Sequence, residues 1–269
     1  KKHRFVKLTE RSVTVLSQRR EQIRELLTTR PFVGLEELQT LFPSVSTMTL
    51  RRDIDYLERC GDAIKVRGGA RSMKFITTSM EDNFASRMHA NPATKERLAA
   101  SVLSFIETGR SIFLDSGTTM MYLAQKLPDA RLTVTTTGPN IALELVKKSQ
   151  PIVNIVGGML NRDNITVCGN QAQRFLEDIN IDIAFLVPSG ASAENGLTCG
   201  NFIECDTKRL VVQKAHRNVL LLESAKLDRS LPYTFANFVE MVVIITVAPL
   251  PMALAERAAR GDVKIIIAN

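Results

Sequence analysis

PSVSTMTLRRDIDYLERCGDAIKVRGGA, from Pro43 to Ala70, reads as a turn, a helix with a basic first half, and a short basic ribbon closed by paired glycines. Ser46 suits the N-cap, because its hydroxyl can accept from the free N–H groups of the first turn. From Thr47 the chain runs for about four helical turns. Leu50, Ile54 and Leu57 recur on one stripe, and Thr47, Met48, Arg51, Arg52 and Asp55 occupy the opposite face. Gly61 is the expected stop. Residues 63–67 form one arm of a β-wing that turns at Gly68-Gly69. Small polar and arginine side chains on the exposed start of a helix are what a DNA major groove admits. The stretch is therefore a recognition helix and wing. Its expected DNA contacts are Ser46, Thr47, Met48, Thr49, Arg51 and Arg52 from the helix side, with Lys65, Arg67, Gly68 and Gly69 from the wing.

Upstream, residues 17–29 predict a first helix with Ile23, Leu26 and Leu27 inward, ended by Pro31-Phe32-Val33. A second helix over 35–42 should turn Leu35, Leu38, Leu41 and Phe42 to the core. Three short helices and a wing make a winged helix-turn-helix over residues 1–72. The charge follows this division. Residues 1–80 hold 16 Lys and Arg against 9 Asp and Glu, whereas residues 81–269 hold 19 of each. The whole net charge of +7 thus belongs to the segment carrying the helix, which is the footprint of a nucleic-acid-binding module joined to a neutral one.

Residues 73–92 mix Ser, Thr, Met, Asn and charges without periodicity and are expected to be a linker, with a short helix near 81–88. Pro92 opens the next helix. Beyond it, residues 93–269 alternate. Apolar runs at 111–114, 132–136, 152–156, 181–187, 219–222, 242–247 and 263–268 read as strands, with helical patterns between most of them. Val- and Ile-rich strands buried on both faces and alternating with helices specify an α/β domain with a mainly parallel sheet. Such sheets bind ligands at the carboxyl ends of their strands.

Those ends are rich in Gly, Ser and Thr. Asp115-Ser116-Gly117-Thr118-Thr119 opens a helix, and its hydroxyls, glycine and exposed N–H groups suit a phosphate. Thr136-Thr137 ends the second strand and Gly157-Gly158 the third. Gly190 follows the fourth and leads into a long loop over 191–201, and Glu223-Ser224-Ala225-Lys226 ends the fifth. Ordinary βα turns need Gly and Ser as well, so the reading rests on all five loops converging. Glu204 and Lys208, one helical turn apart, are expected either as ligand-orienting groups or as a solvated i,i+4 ion pair, the commoner arrangement.

A nucleotide P-loop and a dinucleotide GxGxxG are both absent. The three histidines are isolated, which argues against a zinc site. Cys60, Cys168, Cys199 and Cys205 form no CxxC pair and read as free thiols of a reducing compartment. The most apolar run, 241–255, is broken by two prolines and is too short for a membrane span. A cytoplasmic protein is expected, with no cofactor and no metal.

The residues Val45-Ser46-Thr47-Met48-Thr49-Leu50-Arg51-Arg52-Asp53, followed by Arg67-Gly68-Gly69-Ala70, resemble the signature of the DeoR family of bacterial transcriptional regulators. Asp115–Thr119, Thr136 with Asn140-Ile141-Ala142, Gly157-Gly158, Gly190 to Thr198 and Lys226 resemble that family's effector domain. The family fold is similar to ribose-5-phosphate isomerase and coenzyme A transferases. The resemblance implies a regulator rather than an enzyme, with double-stranded operator DNA and a phosphorylated sugar as partners. The chain departs from the family pattern at Thr136-Thr137-Gly138 and at Glu223-Ser224-Ala225-Lys226, and its turn is one residue longer through Pro43. The expected function is a repressor of a carbohydrate-utilisation operon, acting as a homodimer or homotetramer on the nucleoid. The alternative is a sugar-phosphate isomerase or transferase-like enzyme carrying a DNA-binding module, with Glu204, Lys208 or Asp182 catalytic.

Overall fold

A computed structural model of the chain describes residues 18–27, 30, 32–66, 68–72 and 84–269, which fall into two compact units, 1–80 and 81–269. In the first unit, residues 18–27 form helix α1, and α2 (Leu35–Leu41) and α3 (Thr47–Arg59) follow. Strands β2 (Ala63–Val66) and β3 (Gly69–Ser72) make the wing. Ile23, Leu27, Leu38, Leu50, Ile54 and Leu57 close the core between the helices. Two expectations need correction. Leu41 faces solvent at 52% exposure, because α2 ends there and its stripe is carried by Leu38. Phe32–Gly34, expected as a simple break, is strand β1 and pairs antiparallel with β3. Gly69 makes that pairing possible, since a Cβ there would lie 2.2 Å from the Val33 carbonyl oxygen.

The second unit is a parallel sheet of seven strands in the order β15-β14-β12-β9-β4-β5-β6. Its strands are β4 (Ser111–Leu114), β5 (Thr133–Thr136), β6 (Ile152–Ile155), β9 (Ile181–Leu186), β12 (Ala215–Leu222), β14 (Val243–Thr246) and β15 (Lys264–Ile267). All seven overlap the apolar runs: the central strands are covered on both faces, while β6 and β15 at the edges leave Ile152, Ile155, Ile265 and Ile267 exposed. Alternate residues serve opposite faces. Ile112, Leu114, Phe185 and Leu221 meet α5 (Pro92–Val102), α6 (Thr118–Lys126) and α7 (Pro139–Leu145). Phe113, Ala184, Leu186 and Leu220 share the other core with α8 (Asn170–Glu177), α9 (Phe202–Lys214) and α10 (Met252–Ala259).

The segment 191–201, expected as a loop, is instead built into a second sheet. Strand β10 (Gly190–Ser192) and strand β11 (Gly196–Cys199) form a hairpin, and β13 (Tyr233–Ala236) pairs with β11. The ladder closes at Ser192 opposite Gly196, leaving a three-residue turn. A smaller hairpin, β7 (Met159–Asn161) with β8 (Thr166–Cys168), follows the third parallel strand. Residues 84–89, expected within the linker, form helix α4 (Phe84–His89) and belong to the second unit.

Candidate functional site

The first candidate surface is the start of α3. The Ser46 side chain accepts from the Thr49 N–H at 3.3 Å, as its N-cap position demands. The helix closes in a Schellman arrangement, Gly61 N–H to Glu58 O at 3.0 Å and Asp62 N–H to Leu57 O at 2.9 Å, with Gly61 at φ 79°. Thr47, Met48, Arg51 and Arg52 are exposed along one side while Leu50, Ile54 and Leu57 are buried on the other. Asp53, which the sequence reading placed only in the family signature, is 1% exposed and sets the pose of this helix. Its two oxygens receive Arg19 Nε at 2.6 Å and Arg20 Nε at 2.8 Å from α1. The Arg20 guanidinium also lies 3.9 Å from the Tyr56 ring centroid. Lys65 is exposed and pairs with Asp55 at 2.5 Å. Gly68 is exposed at the wing turn, whereas Gly69 is buried and committed to the β1–β3 pairing. Arg67 lies outside the described residues.

The second candidate is a cleft of about 120 Å³ at the carboxyl ends of β4, β9 and β12. These are neighbouring central strands, and the chain winds away from them in both directions: β4, β5 and β6 run toward one edge, β9, β12, β14 and β15 toward the other. The β4–β9 junction is thus the topological switch point, where diverging connections leave a crevice. Asp115 bridges it, accepting from Val187 N–H at 3.1 Å and from its neighbour Ser116 N–H at 2.9 Å. Gly117 then caps α6 at φ 111°, a backbone angle that favours glycine. Ser116, Thr118 and Thr119 are buried around it, and all four residues 116–119 line the cleft. The first-turn N–H groups of α6 have no acceptor within the helix, so this end is suited to an anion.

Glu204 and Lys208 enter from α9 and are not a solvated pair. They are 5% and 4% exposed and 3.7 Å apart. The closer partner of Lys208 is Asp115, at 2.5 Å, and its Nζ also donates to Val187 O at 2.9 Å. Burial by itself would lower the Lys208 pKa, but the charges of Asp115 and Glu204 outweigh it and hold the pKa well above the usual lysine value. Glu204 accepts from Asn164 Nδ2 at 2.8 Å. Across the cleft, Glu223 accepts from Thr119 Oγ1 at 2.8 Å. Among the described residues, the lining holds five cationic side chains, Arg87, Lys95, Lys208, Lys226 and Arg229, and the two carboxylates Glu204 and Glu223. The balance favours an anion whose remaining atoms can use Ser116, Thr118, Thr119 and Ser189 hydroxyls.

The residues singled out in the sequence divide here. Ser116, Gly117, Thr118, Thr119, Glu204, Lys208 and Lys226 converge on the cleft. Asp115 and Thr137 lie behind it, around a small void bounded also by Glu204 and Lys208. Four others do not line it. The Thr136 hydroxyl accepts from Gly138 N–H at 3.0 Å, and Gly157 sits exposed before β7. Gly158 lets the β7–β8 hairpin close against Cys168 O, and Gly190 makes room for the Arg229 carbonyl. The sequence reading missed Arg87, Lys95, Asn164 and Arg229, because they come from segments outside the strand ends. Asp182, weighed as catalytic, accepts from Ser111 N–H at the opposite, amino end of β4.

Residues 19–75 match the model of the DeoR-like helix-turn-helix domain, and residues 90–247 that of the DeoR C-terminal sensor domain. A putative aga operon transcriptional repressor of Escherichia coli O157:H7 is 29% identical over 259 residues, 96% of each chain. The glycerol-3-phosphate regulon repressor of Escherichia coli K12 is 27% identical, covering 89% of this chain and 94% of its own. Ribose 5-phosphate isomerase A of Methanocaldococcus jannaschii matches 51% of this chain and 55% of its own at 16% identity and a TM-score of 0.39. Among the described residues, no helix is long and apolar enough to cross a membrane.

Proposed function

Because the chain belongs to the DeoR family of DNA-binding transcriptional regulators, we propose that it represses a carbohydrate-utilisation operon and that a phosphorylated sugar in the cleft sets its affinity for operator DNA. The observation that carries the effector half is the cation-rich, hydroxyl-lined crevice at the topological switch point. Relatives named for the aga operon and the glycerol-3-phosphate regulon support the same class of metabolite. In this reading the phosphate sits at the start of α6, and the polyol takes the hydroxyls of the surrounding loops.

On the output side, Thr47, Met48 and Thr49 meet base edges, and Arg51, Arg52 and Lys65 hold phosphates. One short helix reads few base pairs, so two copies act together on paired half-sites, and the effector alters their match. A working isomerase is the weaker reading, because both halves of the chain match a family of transcriptional regulators and its relatives are named as repressors.

A thermal-shift panel of glycerol 3-phosphate, pentose phosphates and hexose phosphates tests the assignment. At least one should raise the melting temperature without being turned over, and should change binding to DNA from upstream of the regulated genes. Turnover would favour the enzyme. Silence across the panel, or stabilisation with no change in DNA binding, would remove the effector role from the cleft.

A further inference from the structure

Four of the residues lining the cleft, Arg87, Ala90, Asn91 and Lys95, come from helix α4, the start of α5 and the turn between them. This region follows residues 73–83, the stretch of chain that joins the two units. Helix α4 buries none of its residues fully; Phe84, Arg87 and Met88 are half-buried, and polar contacts add to its anchorage. The Phe84 N–H donates to Asp163 O at 2.7 Å, and Arg87 Nη2 donates to Asn164 Oδ1 at 3.2 Å. From α5, Lys95 Nζ donates to Arg87 O at 2.6 Å and also to Ala90 O. An ammonium has three protons to donate and these carbonyls take two, while Lys95, only 2% exposed, lines the cleft. Between the helices Asn91 holds a left-handed φ of 49°, which asparagine tolerates, as the N-cap of α5.

Asn164 ties this segment to the floor of the site. Its carbonyl oxygen receives Arg87 and its amide donates to Glu204, which faces Lys208 and through it Asp115. We propose that Arg87 and Lys95 bind the anionic group of the effector, with Asn164 positioning Arg87, so that the ligand docks helix α4 and thereby acts on the segment leading to the DNA-binding unit. This rests on the reading of the cleft as an anion site. It adds which residues transmit occupancy, and why: an element with no fully buried residue, tied on by a few polar contacts, is one whose order a bound anion changes.

Hydrogen–deuterium exchange of the full chain, with inorganic phosphate as probe, tests it. Phosphate should slow exchange in residues 84–91 together with residues 115–121. Arg87→Gln should weaken phosphate binding on the order of tenfold, as expected for one charge-assisted contact. At phosphate concentrations that restore protection of 115–121, this variant should leave 84–91 unprotected. Arg87→Lys should recover part of both effects, which a purely structural role for the side chain would not. Lys95→Met is a second variant, read by the same peptides. Protection of 115–121 with none at 84–91 in the wild-type chain would overturn the inference and leave the cleft as the anion site. No protection at either segment would overturn both.

Discussion

Lys208 shows how a charge can be a structural part and a cleft-lining group together. It is buried against Asp115 and Glu204, and breaking such a pair leaves carboxylates uncompensated. Lys208→Met should therefore destabilise the second unit by about 3–5 kcal/mol, read as a drop in urea midpoint with unchanged slope. The raised pKa fixes the sign with pH. The stabilisation is complete below the unfolded-lysine value of about 10.4 and is lost only as pH climbs through the still higher folded value. Lys95 behaves oppositely. Burial lowers its pKa, an effect that Arg87 reinforces and Glu223 opposes. Anion affinity should accordingly fall on the alkaline side earlier than for an ordinary lysine, and Lys95→Arg should remove that limb of the profile. Titrating sugar phosphate by calorimetry between pH 7 and pH 10 would check it; a wild-type affinity flat over that range would exclude Lys95 from the contact. Little of this was legible in the sequence. The i,i+4 spacing of Glu204 and Lys208 says only that they share a helix face, and whether that face is wet depends on Asp115, 93 residues away.

Among the elements, α3 and its wing follow directly from local chemistry, because a cap, an apolar stripe and a glycine stop all act within a few residues. The parallel strands are legible for a related reason, their unbroken apolar runs. Strand β1 and the β10–β11 hairpin are not. Phe32–Gly34 becomes a strand only because β3 arrives beside it, and the β10–β11 hairpin becomes part of a sheet only because β13 joins β11. Their Gly, Ser and Asn content suggests loop, and tertiary pairing overrides it. Two substitutions separate local from non-local support in the first unit. Ser46→Ala removes the cap of α3 and should cost about 1 kcal/mol. Gly69→Ala drives a Cβ into the Val33 carbonyl, so β1 must shift. The cost should be about 1–3 kcal/mol by the measure of overpacked sites, with a loss of DNA binding as the wing moves. Circular dichroism melts and DNA titrations of both variants would show whether β1 is as integral as its register indicates; a neutral Gly69→Ala would mean it is not.

For the whole molecule, the proposed function makes the charge partition and the cleft two ends of one switch. All of the net positive charge lies in residues 1–80, so the salt dependence of DNA binding should originate there, and Arg51→Ala with Arg52→Ala should reduce the slope of log K against log salt by about 2. The neutral second unit should contribute little to that slope, and in the proposed function its part in DNA binding is effector coupling. Coupling of this kind is reciprocal. If a sugar phosphate changes operator affinity by some factor, operator must change sugar-phosphate affinity by the same factor, since both routes join the same four states. Typical couplings are about 1–3 kcal/mol, a range of roughly 5- to 150-fold, well within reach of titration calorimetry. The measurement is effector affinity with and without saturating operator DNA, beside operator affinity with and without saturating effector. Equal factors, both reduced toward unity in Arg87→Gln, would place α4 on the route between the sites. An effector affinity indifferent to DNA would separate the cleft from the recognition helix altogether, and the second unit would then be an assembly domain with a ligand of its own.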